Sequence, residues 1–198
     1  DPEMLGQVPG AVSRKMPPEL RPELATLVDQ SPKGDEWIHE IKFDGYRILA
    51  FINGKKVRLL SRRGNDWTAA FRSIATELAG MGLPDCILDG ELVALNEDGA
   101  MNFQALQNVA KHGARASLLY YVFDLPFCSG HDLRRAPLLE RKRVLSELLG
   151  PPTARARVRY CEHAQGGGPE LFANACRVPF EGLVSKRANS VYQEKRTH

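Results

Sequence analysis

Lys42 sits between Ile41 and Phe43 in the stretch HEIKFDGYR, residues 39–47. A strand that only packs gains nothing from an ammonium at that position. Either the side chain reaches out to water along its apolar stem, or the amine is held for chemistry. Two other cations lie close in sequence, Arg47 and Arg62. If Asn53-Gly54 forms a two-residue hairpin turn, paired positions sum to about 107, so Arg47 faces Leu60 and Gly45 faces Arg62. Arg47 and Arg62 then become diagonal neighbours beside the Lys42–Gly45 turn. Three cations gathered at one end of a sheet repel one another unless an anion sits among them, and a nucleotide phosphate is the natural one. Two acidic residues and a lysine stand inside or beside other apolar runs: Glu91 in ILDGELVAL, and Glu181 with Lys186 in FEGLVSKR. Buried charges need partners. Each is explained singly by a structural ion pair, as Asp44-Gly45 is by a turn and Arg62-Arg63-Gly64 by a solvated loop. Together they read as a charged cleft lined by strands.

The elements that must position this cleft are mostly strands. Short apolar runs at 36–42, 46–52, 86–95, 118–124, 157–161 and 182–187 predict them. Apolar residues at 67, 70, 71, 74 and 78 have helical spacing, with Asp66 as N-cap. Further helices are expected at 102–110, at 138–149 after Pro137, and at 169–177 after Pro169. Residues 1–22 are rich in Pro and Gly and read as an extended arm rather than an element, and QGGGP at 165–169 reads as a flexible loop. The fold class is α+β with much antiparallel pairing.

Composition narrows the classes. The chain has 198 residues, 43% hydrophobic and 26% charged, which is ordinary for a globular domain. A net charge of +3 permits nucleic-acid contact without requiring it. The four cysteines, Cys86, Cys128, Cys161 and Cys176, show no CxxC spacing, which argues against a zinc site and a disulfide framework and for a reducing, intracellular compartment. No apolar run of 18 residues predicts a membrane span, no signal-peptide pattern stands at the start, and no GxxxxGK[ST] suggests a P-loop.

Five stretches, in this order, resemble the motifs of covalent nucleotidyltransferases, specifically ATP-dependent DNA ligases: KFDGYR (42–47), SRRG (61–64), DGEL (89–92), YVFD (121–124) and EGLVSK (181–186). The resemblance covers about residues 23–198, and the phrasing around Lys42 looks most like the ligase module of multifunctional bacterial end-joining ligases. It implies an adenylation domain of mainly antiparallel sheets flanked by helices, with an ATP cleft between the sheets. It implies that Lys42 attacks the α-phosphate of ATP and becomes lysyl-AMP, and that the AMP passes to a DNA 5′-phosphate before a 3′-hydroxyl seals the break. An ammonium has no lone pair, and stripping an amine of its proton at neutral pH costs about 4–5 kcal/mol, so neighbouring cations, a metal and partial burial are expected to ease that step.

By the same resemblance Glu40 accepts a hydrogen bond from the adenine amino group and the Ile41 backbone reads the ring. Phe123 stacks on the purine, where plain core packing is the alternative. Arg47 contacts the ribose, Arg62 the phosphates and Lys186 the α-phosphate. Glu91 and Glu181 serve the ribose or Mg²⁺ (or Mn²⁺), and Asp44 orders the turn or binds metal through water. The partners implied are nicked or broken duplex DNA, with other repair domains or end-binding proteins, in the bacterial cytoplasm at the nucleoid. The family's last pair of lysines has no match here; Lys195 and Arg196 are not assigned that role. Nor are there residues for the C-terminal OB-fold, so little nick sealing is expected of residues 1–198 alone. The alternatives are an RNA ligase, a capping-type nucleotidyltransferase, and a non-catalytic module that grips DNA ends.

Overall fold

The computed structural model describes residues 2–167, 170 and 182–195. The predicted helix at 169–177 falls almost wholly outside them, and so does Glu181. The fold is α+β and rests on two sheets. The larger has the order β1 (Val12–Ser13), β7 (His131–Asp132), β6 (Ser117–Cys128), β5 (Cys86–Leu95), β3 (Tyr46–Asn53), β4 (Lys56–Ser61), with β8 (Val158–Tyr160) beside β6. The smaller has the order β10 (Leu183–Arg187), β2 (Trp37–Ile41), β9 (His163–Gln165). Pairing is antiparallel except for β6 with β8, which run parallel.

Strand β3, YRILAFIN, is apolar on both faces because it serves two cores. Ile48, Ala50 and Ile52 point to the main core with Phe71, Ile74, Leu106 and Tyr120. Leu49 and Phe51 point to the opposite face, with Ile87, Phe127 and Tyr192. Among the described residues, α2 (Arg72–Gly80), α3 (Phe103–His112) and α4 (Leu138–Leu149) cover the main core. Helix α3 is capped at both ends. The Asn102 side chain accepts from Ala105 N at 2.8 Å, and Gly113 closes the helix at φ +64°. Leu20 packs into the second core with Met16 against it, and there is a short helix α1 (Pro2–Leu5). The segment expected to be a featureless arm thus carries a helical turn and strand β1, and places Leu5 and Val8 in the main core.

Two local readings are corrected. The β3–β4 ladder pairs Asn53 with Lys56 and Ile48 with Ser61, so the turn is Gly54-Lys55 rather than Asn53-Gly54. Gly54 has φ +56°, as a type II′ turn requires at its first central position, and its N–H is held by Asp85 Oδ1 at 2.8 Å. The register moves by two, which preserves every face. Helix α2 starts at Arg72, not near Trp67. Asp66 spends its carboxylate on Thr68 N at 2.9 Å, and that local turn delays the helix.

Glycine at position 90 is dictated by close approach. A Cβ there would meet Tyr121 O at 2.4 Å and Tyr120 Cε2 at 2.7 Å. The Tyr120 ring passes beneath β5 so that its hydroxyl donates to Ile48 O at 2.8 Å and Leu88 O at 3.1 Å. Gly90→Ala is expected to lower stability by about 1–3 kcal/mol through this overpacking, read as a lower urea midpoint at unchanged slope. An unchanged midpoint would contradict the close approach.

Candidate active site between the two sheets

Arg47 pairs with Glu91, and Glu91 with Tyr121, so all three share one face of the large sheet. Opposite them the small sheet brings Glu40 on β2 and Lys186 on β10, beside Phe123 of β6. The cleft is therefore built by period-2 alternation, from strands whose other faces are core.

Lys42 follows the last residue of β2. Its N–H donates to Gly182 O at 3.0 Å, extending the β2–β10 pairing, and the next residue, Phe43, stacks on Tyr121 with ring centroids 4.0 Å apart. The side chain is exposed, a correction to the partial burial expected of it. It stands at the mouth of the cleft, near enough that its charge bears on Glu91. Burial pushes the Glu91 carboxyl up to about 7, against the pull of Arg47 and Lys42, with Asp89 and Asp44 adding to the push. A carboxyl poised there ionises readily when a cation arrives.

Glu40 is 3% exposed and bridges two lysines: Lys142 Nζ lies 2.5 Å from Oε1 and Lys186 Nζ 2.6 Å from Oε2. Burial alone would raise its carboxyl; the two ammonium groups overcome that and hold it below the usual carboxylate range. Phe123 is not simply core. The Lys186 ammonium lies 4.4 Å and the Arg47 guanidinium 4.5 Å from its ring centroid. With only 8% of Phe123 exposed, a purine that stacks there must displace a cation.

The anion among the cations is in part the protein's own. Arg47 binds Asp89 through Nε at 2.6 Å and Nη2 at 2.8 Å, and the Tyr192 hydroxyl donates to Asp89 Oδ2 at 2.6 Å. Sequence reasoning missed Asp89, although it lies two residues before Glu91 in the same apolar run. It also missed Tyr192, Asp124, Arg141 and Lys142. Arg62 lies exposed in the turn just past β4, beyond the Ile48–Ser61 pair where the β3–β4 ladder ends. Ile41 is half-buried at the end of β2, and with Phe43 it lines a groove of about 770 Å³ that also bears Arg155, Arg157 and Arg159. Cys86, Cys128 and Cys161 are buried free thiols, and among the described residues no group of three or more His, Cys, Asp or Glu is placed to hold a metal. No described helix is long and apolar enough to cross a membrane.

The ATP dependent DNA ligase domain matches residues 22–198. The chain is 43% identical over 183 residues to the multifunctional non-homologous end joining protein LigD of Pseudomonas aeruginosa, covering 92% of this chain and 22% of that protein. It is 35% identical over 184 residues to the SPbeta prophage-derived DNA ligase-like protein LigB of Bacillus subtilis, covering 90% of this chain and 65% of that one. The structure of mycobacterial DNA ligase D complexed with ATP and MES superposes with a TM-score of 0.75 at 33% identity, over 90% of this chain and 57% of that one. Chlorella virus DNA ligase-adenylate shares the fold, with a TM-score of 0.64 at 19% identity. The chain thus spans only part of each relative's length. With the family match covering residues 22–198, nearly the whole sequence, the chain belongs to the ATP-dependent DNA ligase family.

Proposed function

We propose that this chain is a ligase adenylation domain that binds ATP in the cleft and takes AMP onto Lys42. The observation that carries the reading is the contiguity of Glu40, Lys186 and Phe123, with Glu40 on β2 only two residues before Lys42, which follows the strand's end. The Lys42 amine attacks the α-phosphorus; an N–P bond forms, the bond to the bridging oxygen breaks, and pyrophosphate leaves. The phosphoramidate then yields its AMP to a DNA 5′-phosphate, and a 3′-hydroxyl displaces it to close the break.

Glu40 accepts the adenine amino group and the Ile41 backbone reads the ring edge. Phe123 stacks on the purine once Lys186 leaves its face for the α-phosphate. Arg47 spends two donors on Asp89 and offers others to the ribose. Arg62, exposed and positive, meets the outer phosphates. Glu91 is the cleft carboxylate for Mg²⁺, with Glu181, outside the described residues, as the second and Asp44 acting through water. This ion takes one or two carboxylates and fills its shell with phosphate oxygens and water. Bound, Mg²⁺ would neutralise charge on the phosphates.

Arg155, Arg157 and Arg159, in the groove beside Lys42, offer guanidiniums to a DNA backbone. LigD of P. aeruginosa is a multifunctional end-joining protein, and we infer the same setting here: broken DNA as substrate, further repair domains as neighbours, and the bacterial nucleoid as location. Incubation with α-labelled ATP and Mg²⁺, followed by denaturation, tests the core of this. Label that survives unfolding supports the transferase. A chain that neither binds ATP nor keeps label is not one.

A further inference from the structure

We propose that Lys142 is a positioning residue of the purine pocket, fixing the Glu40 carboxylate and the Phe123 main chain so that adenine is chosen over guanine. This rests on the ATP reading above. Lys142 lies on α4, is fully buried, and was invisible to the motif pattern. Its ammonium has three N–H groups and uses all three: on Glu40 Oε1 at 2.5 Å, Cys161 O at 3.0 Å and Phe123 O at 3.3 Å. These acceptors belong to β2, to the residue just after β8, and to β6. The Tyr160 ring, 4.7 Å away, covers the ammonium.

Stability alone gives no reason for this arrangement. Lys142 stands on the apolar stripe of α4 between Leu138 and Leu145, and replacing a whole buried ion pair by apolar side chains of similar volume is often neutral or stabilising. What the ammonium supplies is a charged, aimed acceptor. Glu40 is shared with Lys186, which is 24% exposed and stands at the face of Phe123. When Lys186 moves to a phosphate, Lys142 is the partner that stays. Each carboxylate oxygen keeps a second lone pair, and an ionised Glu40 accepts from the adenine amino group while repelling the guanine O6. Without Lys142, burial drives Glu40 toward its protonated form, which donates to O6 as readily as it accepts from an amino group.

The test is equilibrium binding of ATP and GTP, with a thermal melt for each chain. Wild type is expected to favour ATP at least about tenfold. Lys142→Met is expected to bind ATP at least about tenfold more weakly and to lose most of the preference. Should it not fold, Lys142→Gln carries the same expectation. Glu40→Gln alone, whose amide can flip, is expected to lose the preference, and adding Lys142→Met to it to change the preference no further. A folded Lys142 variant with wild-type preference, an undiminished preference in Glu40→Gln, or additive losses in the double variant each overturn the inference. Wild type that binds ATP with no preference over GTP overturns it alone; wild type that binds neither nucleotide overturns the functional reading too.

Discussion

A Lys42→Arg chain is expected to bind ATP within a few-fold of wild type and yet to keep no label after denaturation. The guanidinium preserves the positive charge at the cleft mouth, so the phosphates still meet a cation. It cannot surrender a proton under these conditions, and its delocalised nitrogens are poor nucleophiles. The covalent product should fall by about three orders of magnitude or more, because the substitution removes the bond-forming atom itself rather than one contributor to a shared effect. Backbone placement should persist, since the Lys42 N–H to Gly182 O bond does not involve the side chain. Equilibrium binding and label retention measured on the same preparation separate the two functions. Persistent label on Lys42→Arg would mean that another group is the nucleophile. Loss of ATP binding along with label would place Lys42 in affinity rather than chemistry.

Much of this cleft was legible in the sequence because its charged residues interrupt apolar strands. Glu91 in ILDGELVAL and Lys42 in HEIKFDGYR stand out against their neighbours, and the five motifs supply an order that no single one does. The hairpin turn was misplaced, but a displacement of two leaves strand side chains on their faces; the ladder ends at Ile48 and Ser61, so it does not itself pair Arg47 with Arg62. What was not legible came from partners far apart in the chain. Arg47 suggested a missing anion, and the protein supplies one in Asp89. Its position in ILDGEL carries the same signal as Glu91, a carboxylate at period 2 in a buried strand.

Helix α4 shows the other limit. Its span, Leu138–Leu149, follows from Pro137 and Gly150, but the run ERKR inside it looks like a solvated face. Leu138 and Leu145 define the buried stripe, and positions 141 and 142 fall midway along it by the 3.6-residue period. Two cations on an apolar stripe are the signal that could have found them. Glu40 and Asp124, their counterparts, lie 102 and 17 residues away, and no local pattern specifies that pairing.

Arg141→Met is expected to cost about 3–5 kcal/mol at neutral pH, the largest loss of stability in this set, because it leaves a buried carboxylate without its cation. Arg141 has no exposed surface, and Asp124 has 5%. The guanidinium holds Asp124 through Nε at 2.7 Å and Nη2 at 2.9 Å, and spends Nη1 on Ala136 O at 2.6 Å and Ser190 O at 3.0 Å. Burial alone would raise the Asp124 carboxyl; Arg141 reverses this and holds it below the usual carboxylate range. In wild type, then, the pair's contribution is fully present above the unfolded carboxyl value of about 3.9 and fades only as pH falls through the lower folded value. In Arg141→Met, burial acts with its chief opponent removed. The carboxyl rises, and acidification relieves the penalty by protonating it. The stability gap between the two chains should be widest at neutral pH and shrink as pH approaches 4, as urea unfolding at several pH values would read. A gap constant across that range would mean that Arg141 acts by packing alone. Because Ser190 follows β10 closely, the same substitution loosens the strand that carries Lys186, and ATP affinity should fall even where the chain remains folded.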